Sequence, residues 1–239
     1  MRKRVLVTFF MAFTAMAFIH AQDLEKVLDN HFKAIGQKKL LKIETLQATG
    51  KAAMMGMDNS FQMINKRPDK VQISIDFQGA KFLQVYDGET AWTINPMMGP
   101  DPVVVTGAEA NSAIEASDMD GQLWKYKEKG HQLELEGIED LEGKEVYVLK
   151  LTKKSGTIDH YYLGKDDYLL KKVVSRVMAN GMEMEVEVLL SDYRDVEGYM
   201  MPFNTLQKVG GQTNMNLTFD EVKVNLEVDD SIFSMPGSK

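Results

Sequence analysis

The spacing of apolar residues changes once along the chain, from a helical period to a strand period. Between Leu24 and Ile35 the apolar positions recur three or four residues apart, which predicts one amphipathic helix. Asp23 can cap the start of this helix and Gly36 can end it. His31 lies within the apolar stripe, where we expect a half-buried core side chain rather than a ligand.

After this helix, polar and apolar residues alternate over most of the chain. Val71–Phe77, Met182–Val188 and Met215–Phe219 each place apolar side chains on one face, as antiparallel strands do. Turn-forming pairs such as Asp87-Gly88 separate these runs, and counting the runs predicts about ten or eleven strands. So wide a sheet curls or closes. The pattern therefore predicts a mainly β (α+β) fold, an incomplete and strongly curved antiparallel β-barrel with an N-terminal helix.

The strand pattern is interrupted between Pro96 and Gly121. Prolines at the start of this stretch indicate a loop. Helical spacing follows over Ala110–Ser117, and Thr106 with Glu109 forms a possible capping box before it. Because this helix lies within a sheet protein, we expect it to cross a face or an open end of the sheet as a helical lid.

One strand allows a sharper prediction about its two faces. On Met182–Val188, three glutamates alternate with apolar side chains. Burying unpaired carboxylates would cost several kcal/mol each, so the glutamates should face solvent. The Met/Val face should then look inward, at either a packed core or a cavity.

The N-terminus has the features of an export signal. Basic Arg2–Arg4 precede the apolar run Val5–Ile19, which is about 15 residues long, whereas a membrane span needs roughly 20. We therefore expect a signal peptide over residues 1–21, cleaved between Ala21 and Gln22, and one domain over residues 22–239. An uncleaved N-terminal anchor is the alternative. Export by this route predicts a periplasmic or secreted protein.

Composition narrows the classes of function. The 239 residues include 28 Lys+Arg and 35 Asp+Glu, a net charge of −7, which disfavours a general attraction to nucleic acid or anionic lipid. The chain has no Cys, so we expect no disulfide, thiol catalysis, Cys-ligated metal or cysteine-linked lipid anchor.

Catalytic patterns are missing from the sequence. It contains no G-x-S-x-G, H-E-x-x-H, P-loop or G-x-G-x-x-G motif. Asp159 and His160 are adjacent, but neighbours on a strand point to opposite faces. Acidic pairs such as Asp166-Asp167 follow turn residues and are interpreted as solvated. We therefore expect no enzyme, cofactor or metal site, although a hydrolase with an unrecognised site stays open.

Methionine is unusually frequent, with 17 in the chain. Several are clustered, at Met54–Met57, Met97-Met98, Met182–Met184 and Met200-Met201. Flexible, polarisable Met side chains suit a cavity wall for ligands of variable shape such as acyl chains, but they also fill irregular core gaps. Thioether binding of a soft metal is a third interpretation, although the clusters lack accompanying His or Cys.

Several segments resemble the periplasmic carriers that sort lipoproteins to the outer membrane, the LolA-like and LolB-like proteins. Tyr86–Pro96 is similar to their "DG…W…P" hairpin. Tyr161–Gly164 with Leu169–Lys172 resembles their hairpin of strand, turn, leucine and basic residue. Gly198–Pro202 and Ser231–Pro236 are similar to their last strands. These motifs occur in the same order, and the resemblance spans the chain from the first helix to the C-terminus.

The resemblance implies an incomplete β-barrel closed by helices around an apolar cavity for lipid acyl chains. It further implies a non-enzymatic carrier or chaperone for lipids or lipoproteins, with transfer partners at the inner and outer membranes, and we expect a monomer. A sensor or protein-interaction module on the same fold is the alternative, because a fold does not specify its ligand. The candidate cavity-lining residues are Ile73, Ile75, Phe77, Leu83, Val85, Trp92, Ile114, Met182, Met184, Val186, Val188, Leu217 and Phe219.

Overall fold

The structure is a computed structural model that describes residues 23–54, 56–179 and 182–237, without the side chains of 178, 179 and 182. The expected signal peptide and its cleavage point lie outside the described residues, as does the side chain of Met182. None of the described helices is long and apolar enough to cross a membrane.

The described residues form one antiparallel sheet of 13 strands, with β1 and β13 paired at its centre. The sheet order is β6-β5-β4-β3-β2-β1-β13-β12-β11-β10-β9-β8-β7, so the edge strands β6 and β7 do not pair and the barrel stays open. The strands are β1 Thr45–Met54, β2 Met57–Lys66, β3 Lys70–Phe77, β4 Ala80–Tyr86, β5 Ala91–Ile94, β6 Val103–Val104, β7 Gln132–Leu141, β8 Lys144–Thr152, β9 Ile158–Gly164, β10 Leu170–Ala179, β11 Met182–Val196, β12 Tyr199–Val209 and β13 Gln212–Val224.

This architecture confirms the predicted mainly β, incomplete and curved antiparallel barrel. The strand count of 13 exceeds the predicted ten or eleven. Short strands explain the difference, because a strand of two residues such as β6 contains too few positions to show an alternation.

Three helices accompany the sheet in the described residues: α1 over 23–34, α2 over Gln37–Leu40 and α3 over Gly107–Ser117. Gly36 ends the first helix as predicted, with a φ of 71°, and a Cβ there would collide with the carbonyl oxygen of Gly198. The predicted capping box of α3 does not form, because the Thr106 side chain makes no capping hydrogen bond.

The helices lie on one face of the sheet, which we call the inner face. The Asn65 side chain donates a hydrogen bond from Nδ2 to the carbonyl oxygen of Ala116 in α3, at 2.8 Å. Leu28 of α1 packs in a cluster with Leu149 and Leu163 of the opposite half of the sheet. Strand register places Asn65 and Leu149 on the same face, so both helices cover the inner face.

Two core clusters fill parts of the inner face, and a third lies on the outer face. The first includes Phe61, Ile75 and Phe219, and the second joins α1 to β8 and β9. The third consists of Ile64, Val85, Trp92 and Phe233, beneath the C-terminal segment. The sheet is therefore packed on both faces around β2–β5, whereas the described side chains of residues 174–190, on β10 and β11, belong to none of these clusters.

Candidate functional site

The inner face of β10–β13 is the candidate functional site. Val177 lies opposite Met184, and Val188 lies opposite both Val173 and Gln207. Eleven inner-face positions along these pairs are uncharged. They are Val173, Ser175, Val177, Met184, Val186, Val188, Leu190, Thr205, Gln207, Met215 and Leu217.

The outer face of β11 carries charged side chains at positions 183, 185 and 187. Glu185 lies opposite Arg176, and Glu187 lies opposite Lys208. Lys172 Nζ lies 3.8 Å from a carboxylate oxygen of Glu187. The contrast shows that the alternation predicted on β11 separates a polar outer face from an apolar inner one.

Most of the apolar inner-face side chains on these strands belong to none of the three packed clusters. Val177 is 39% exposed, and the others are half-buried. We call this set the apolar strip, and it comprises Val177, Met184, Val186, Val188, Leu190 and Met215.

Five other candidate residues also lie on the inner face, and all five pack in or against the first core cluster. Ile75 and Phe219 are 6% exposed and belong to its buried part. The remaining three are half-buried against the same cluster, and they are Ile73, Phe77 and Leu217.

Leu83, Val85 and Trp92 lie on the outer face, away from the other candidates. Val85 pairs with Trp92, and Trp92 is 2% exposed. Its indole Nε1–H donates a hydrogen bond to the carbonyl oxygen of Phe233, at 2.9 Å. The C-terminal segment thus fills the outer face at this point. Alternation within a strand could not reveal this, because register between strands decides which faces coincide.

Ile114 on α3 is 42% exposed and is not buried against the sheet. The buried positions of this helix are Ala113 and Ser117, which are 0% and 2% exposed. The lid therefore packs through small side chains, and Ile114 lies on its accessible side.

A buried ion-pair network fastens α3 to the far half of the sheet. Lys153 Nζ lies 2.7 and 2.8 Å from the two carboxylate oxygens of Glu115 on α3, and 2.7 Å from Asp159 Oδ2. The Ser175 hydroxyl donates to the other Asp159 oxygen at 2.6 Å. Burial by itself would lower the pKa of Lys153, but hydrogen bonds to Asp159 and Glu115 outweigh it and raise the pKa. Lys153 therefore stays charged and links the lid to the sheet.

The chain segment that follows α3 is held from the other half of the sheet. Arg67 forms a 2.6 Å ion pair through Nη2 with Asp120 and donates to the carbonyl oxygens of Leu40 and Ile43. The sequence offered no signal for the Lys153–Glu115 and Arg67–Asp120 pairs, because their members lie 38 and 53 positions apart.

The clustered methionines divide between core and surface. Met201 is 7% exposed in the first core cluster, whereas Met97 and Met98 are 90% and 85% exposed. Within the described residues, no group of three or more His, Asp or Glu is arranged to hold a metal ion.

Solved structures with the same fold exist at low sequence identity. A DUF1329 family protein from Desulfovibrio piger ATCC 29098 is 14% identical, with 87% of this chain and 97% of that chain covered and a TM-score of 0.60. A LolA superfamily protein from Nitrosomonas europaea is 14% identical, with 88% and 96% covered and a TM-score of 0.59.

A third similar structure, from Vibrio parahaemolyticus, is described as an outer membrane lipoprotein-sorting protein domain. It is 13% identical, with 84% of this chain and 95% of that chain covered and a TM-score of 0.58. No protein-family model and no curated protein sequence matches the chain. The chain thus has a LolA-like fold, which confirms the resemblance at the level of fold.

Proposed function

We propose that this protein is a non-enzymatic periplasmic carrier that binds the acyl chains of lipids or lipoproteins on the apolar strip. The observation that carries the proposal is that the strip is apolar and uncharged yet lies outside every packed cluster of the described residues. A surface of this kind is typical of a ligand-binding site. The LolA-like fold supports a carrier role.

Apolar burial would supply the binding energy. Each methylene removed from water contributes about 0.8 kcal/mol, so a palmitoyl-sized chain gains on the order of 10 kcal/mol before ordering costs are subtracted. Because the strip offers no charged partner, this energy depends on chain length rather than on headgroup charge. The carrier should therefore accept acyl chains from more than one lipid class.

Native mass spectrometry of gently purified mature protein tests the proposal. We expect bound lipid or lipoprotein of adduct mass consistent with acyl chains, and displacement of a fluorescent fatty acid by unlabelled lipid. Protein that is purified without lipid and binds no acyl probe would contradict the proposal. The same sample tests export, since the N-terminal residue of periplasmic protein should be Gln22.

A second candidate function is a protein-interaction module. It is favoured by the exposed loop and edge strand that contain Met97, Met98, Val103 and Val104, of which Val103 and Val104 are 56% and 51% exposed. An edge strand with unpaired backbone groups can add a strand from a partner. Met97→Ser with Met98→Ser should weaken partner binding in this case and leave acyl-probe affinity unchanged.

A further inference from the structure

A small pocket lies at one end of the apolar strip, between α1, the segment 119–123 and the inner face of β9–β12. Its volume is about 190 Å³. Most of its lining is apolar, including Phe32, Ile35 and Leu190, but buried and half-buried polar side chains also line it. These polar residues include His31, Tyr161 and Tyr199.

His31 presents a hydrogen-bond acceptor to this pocket. The residue is 6% exposed, and its Nδ1 lies 2.7 Å from the carbonyl oxygen of Tyr168. A carbonyl oxygen only accepts, so Nδ1 carries the proton. Burial lowers the pKa of His31, and the hydrogen bond to Tyr168 opposes this only in part, so the ring is neutral. Nε2 is then left as an acceptor.

Tyr161 and Tyr199 present hydrogen-bond donors. Neither hydroxyl has a hydrogen-bond partner among the described residues, whereas the nearby Tyr193 hydroxyl donates to Leu170 at 2.6 Å. Among the described residues, Gln37 Oε1 is the one side-chain polar atom that is fully buried and has no hydrogen-bond partner. The two tyrosine hydroxyls are therefore not sealed, and both residues line the pocket. Burial raises the pKa of Tyr199 to about 12 and also raises that of Tyr161, so both stay protonated.

Cations are absent from the described lining of the pocket. Its charged member is Asp120, which Arg67 already pairs at 2.6 Å. An anionic headgroup would lose its hydration here without gaining a counter-charge, which is costly. The pocket chemistry therefore selects an uncharged polar group.

The apolar strip leads into this pocket. Leu190 lines the pocket and shares the inner face of β11 with Met184, Val186 and Val188. Leu190 lies six positions after Met184, which is roughly 20 Å at ~3.4 Å per residue. A chain lying along the strip would thus place one end at His31, Tyr161 and Tyr199.

We propose that this pocket binds the uncharged polar end of an amphipathic ligand, a hydroxyl-bearing head that donates to His31 and accepts from Tyr161 or Tyr199. The inference rests on the proposed carrier function, because it needs the tail to lie on the apolar strip. It adds a preference for the head that the strip does not supply.

Competition against a fluorescent fatty acid tests this preference with probes of one chain length, tetradecanol, tetradecane and tetradecyl sulfate. Wild-type protein should bind the alcohol about threefold to tenfold more tightly than the alkane, as one net hydrogen bond allows. The sulfate should bind no better than the alkane. The double variant Tyr161→Phe with Tyr199→Phe keeps the ring volumes, and it should lose the preference for the alcohol while its affinity for the alkane is unchanged.

The outcomes separate this proposal from the carrier function. Two results would overturn this proposal while the carrier function stands: equal affinity of the wild-type protein for alcohol and alkane, or an unchanged preference for the alcohol in the double variant. Either result would show that the pocket holds only water. Tighter binding of the sulfate would also overturn it. If no probe binds, both proposals fall. Circular dichroism of the double variant verifies that it is folded.

Discussion

Replacing Met184 with glutamate tests whether the apolar strip is a ligand wall. Met184 and Glu185 are neighbours on β11 and point to opposite faces of the sheet, so Glu185→Lys is a matched control. The new carboxylate at position 184 would lie opposite Val177, where an acyl chain would pass. Met184→Glu should therefore remove acyl-probe binding, and Glu185→Lys should leave it nearly unchanged.

The expected loss of acyl-chain affinity in Met184→Glu follows from the contacts that are lost. If the carboxylate and its hydration displace about four methylenes from the strip, about 3 kcal/mol of binding energy is lost. This corresponds to a roughly 100-fold weaker Kd. Glu185 lies 4.0 Å from Arg176 with side chains 49% and 66% exposed, and an exposed pair of this kind contributes about 0–1 kcal/mol to stability.

Whether the Met184→Glu variant folds distinguishes a cavity wall from a closed core at this position. Met184 is half-buried and outside the packed clusters, so Met184→Glu should stay folded at a cost of about 1–2 kcal/mol. Circular dichroism and displacement of a fluorescent fatty acid measure the two effects. A folded Met184→Glu protein with wild-type affinity would refute the strip as the binding surface, and an unfolded one would show a closed core.

Other regions give further expectations. Lys153→Met leaves the buried Asp159 carboxylate without its cation and should lower the free energy of unfolding by about 3–5 kcal/mol, measured by urea titration. The control Lys171→Met removes a partly exposed pair and should change this free energy by about 1 kcal/mol or less. Burial lowers the pKa of His31 below its ordinary 6.5. The contribution of neutral His31 to stability is therefore present above pH 6.5 and is lost as the pH falls through the folded-state pKa. A His31→Phe variant should show less of this acid sensitivity in the free energy of unfolding. Trp92 should resist acrylamide quenching in a Trp124→Phe background, because it is 2% exposed, and free quenching would contradict its position beneath the C-terminal segment.

Local periodicity determined the elements of this protein. The stripe of α1, the end of that helix at Gly36 and the alternation on β11 all depend on residues within one helix turn or one strand. Side-chain direction in these elements follows from backbone geometry alone, so the sequence was sufficient to separate Met184 from Glu185. The antiparallel class of sheet followed from the same pattern.

Tertiary structure alone decided which faces coincide and which residues meet. Trp92 looked like a cavity residue, but register places it on the outer face, where Phe233 covers it from 141 positions away. Tyr168 accepts a hydrogen bond from His31 across 137 positions, and the pocket beside His31 exists because β9–β12 bring Tyr161 and Tyr199 to α1. Such contacts depend on how strands are ordered and how the sheet curves, and these are properties of the whole chain that no local pattern encodes.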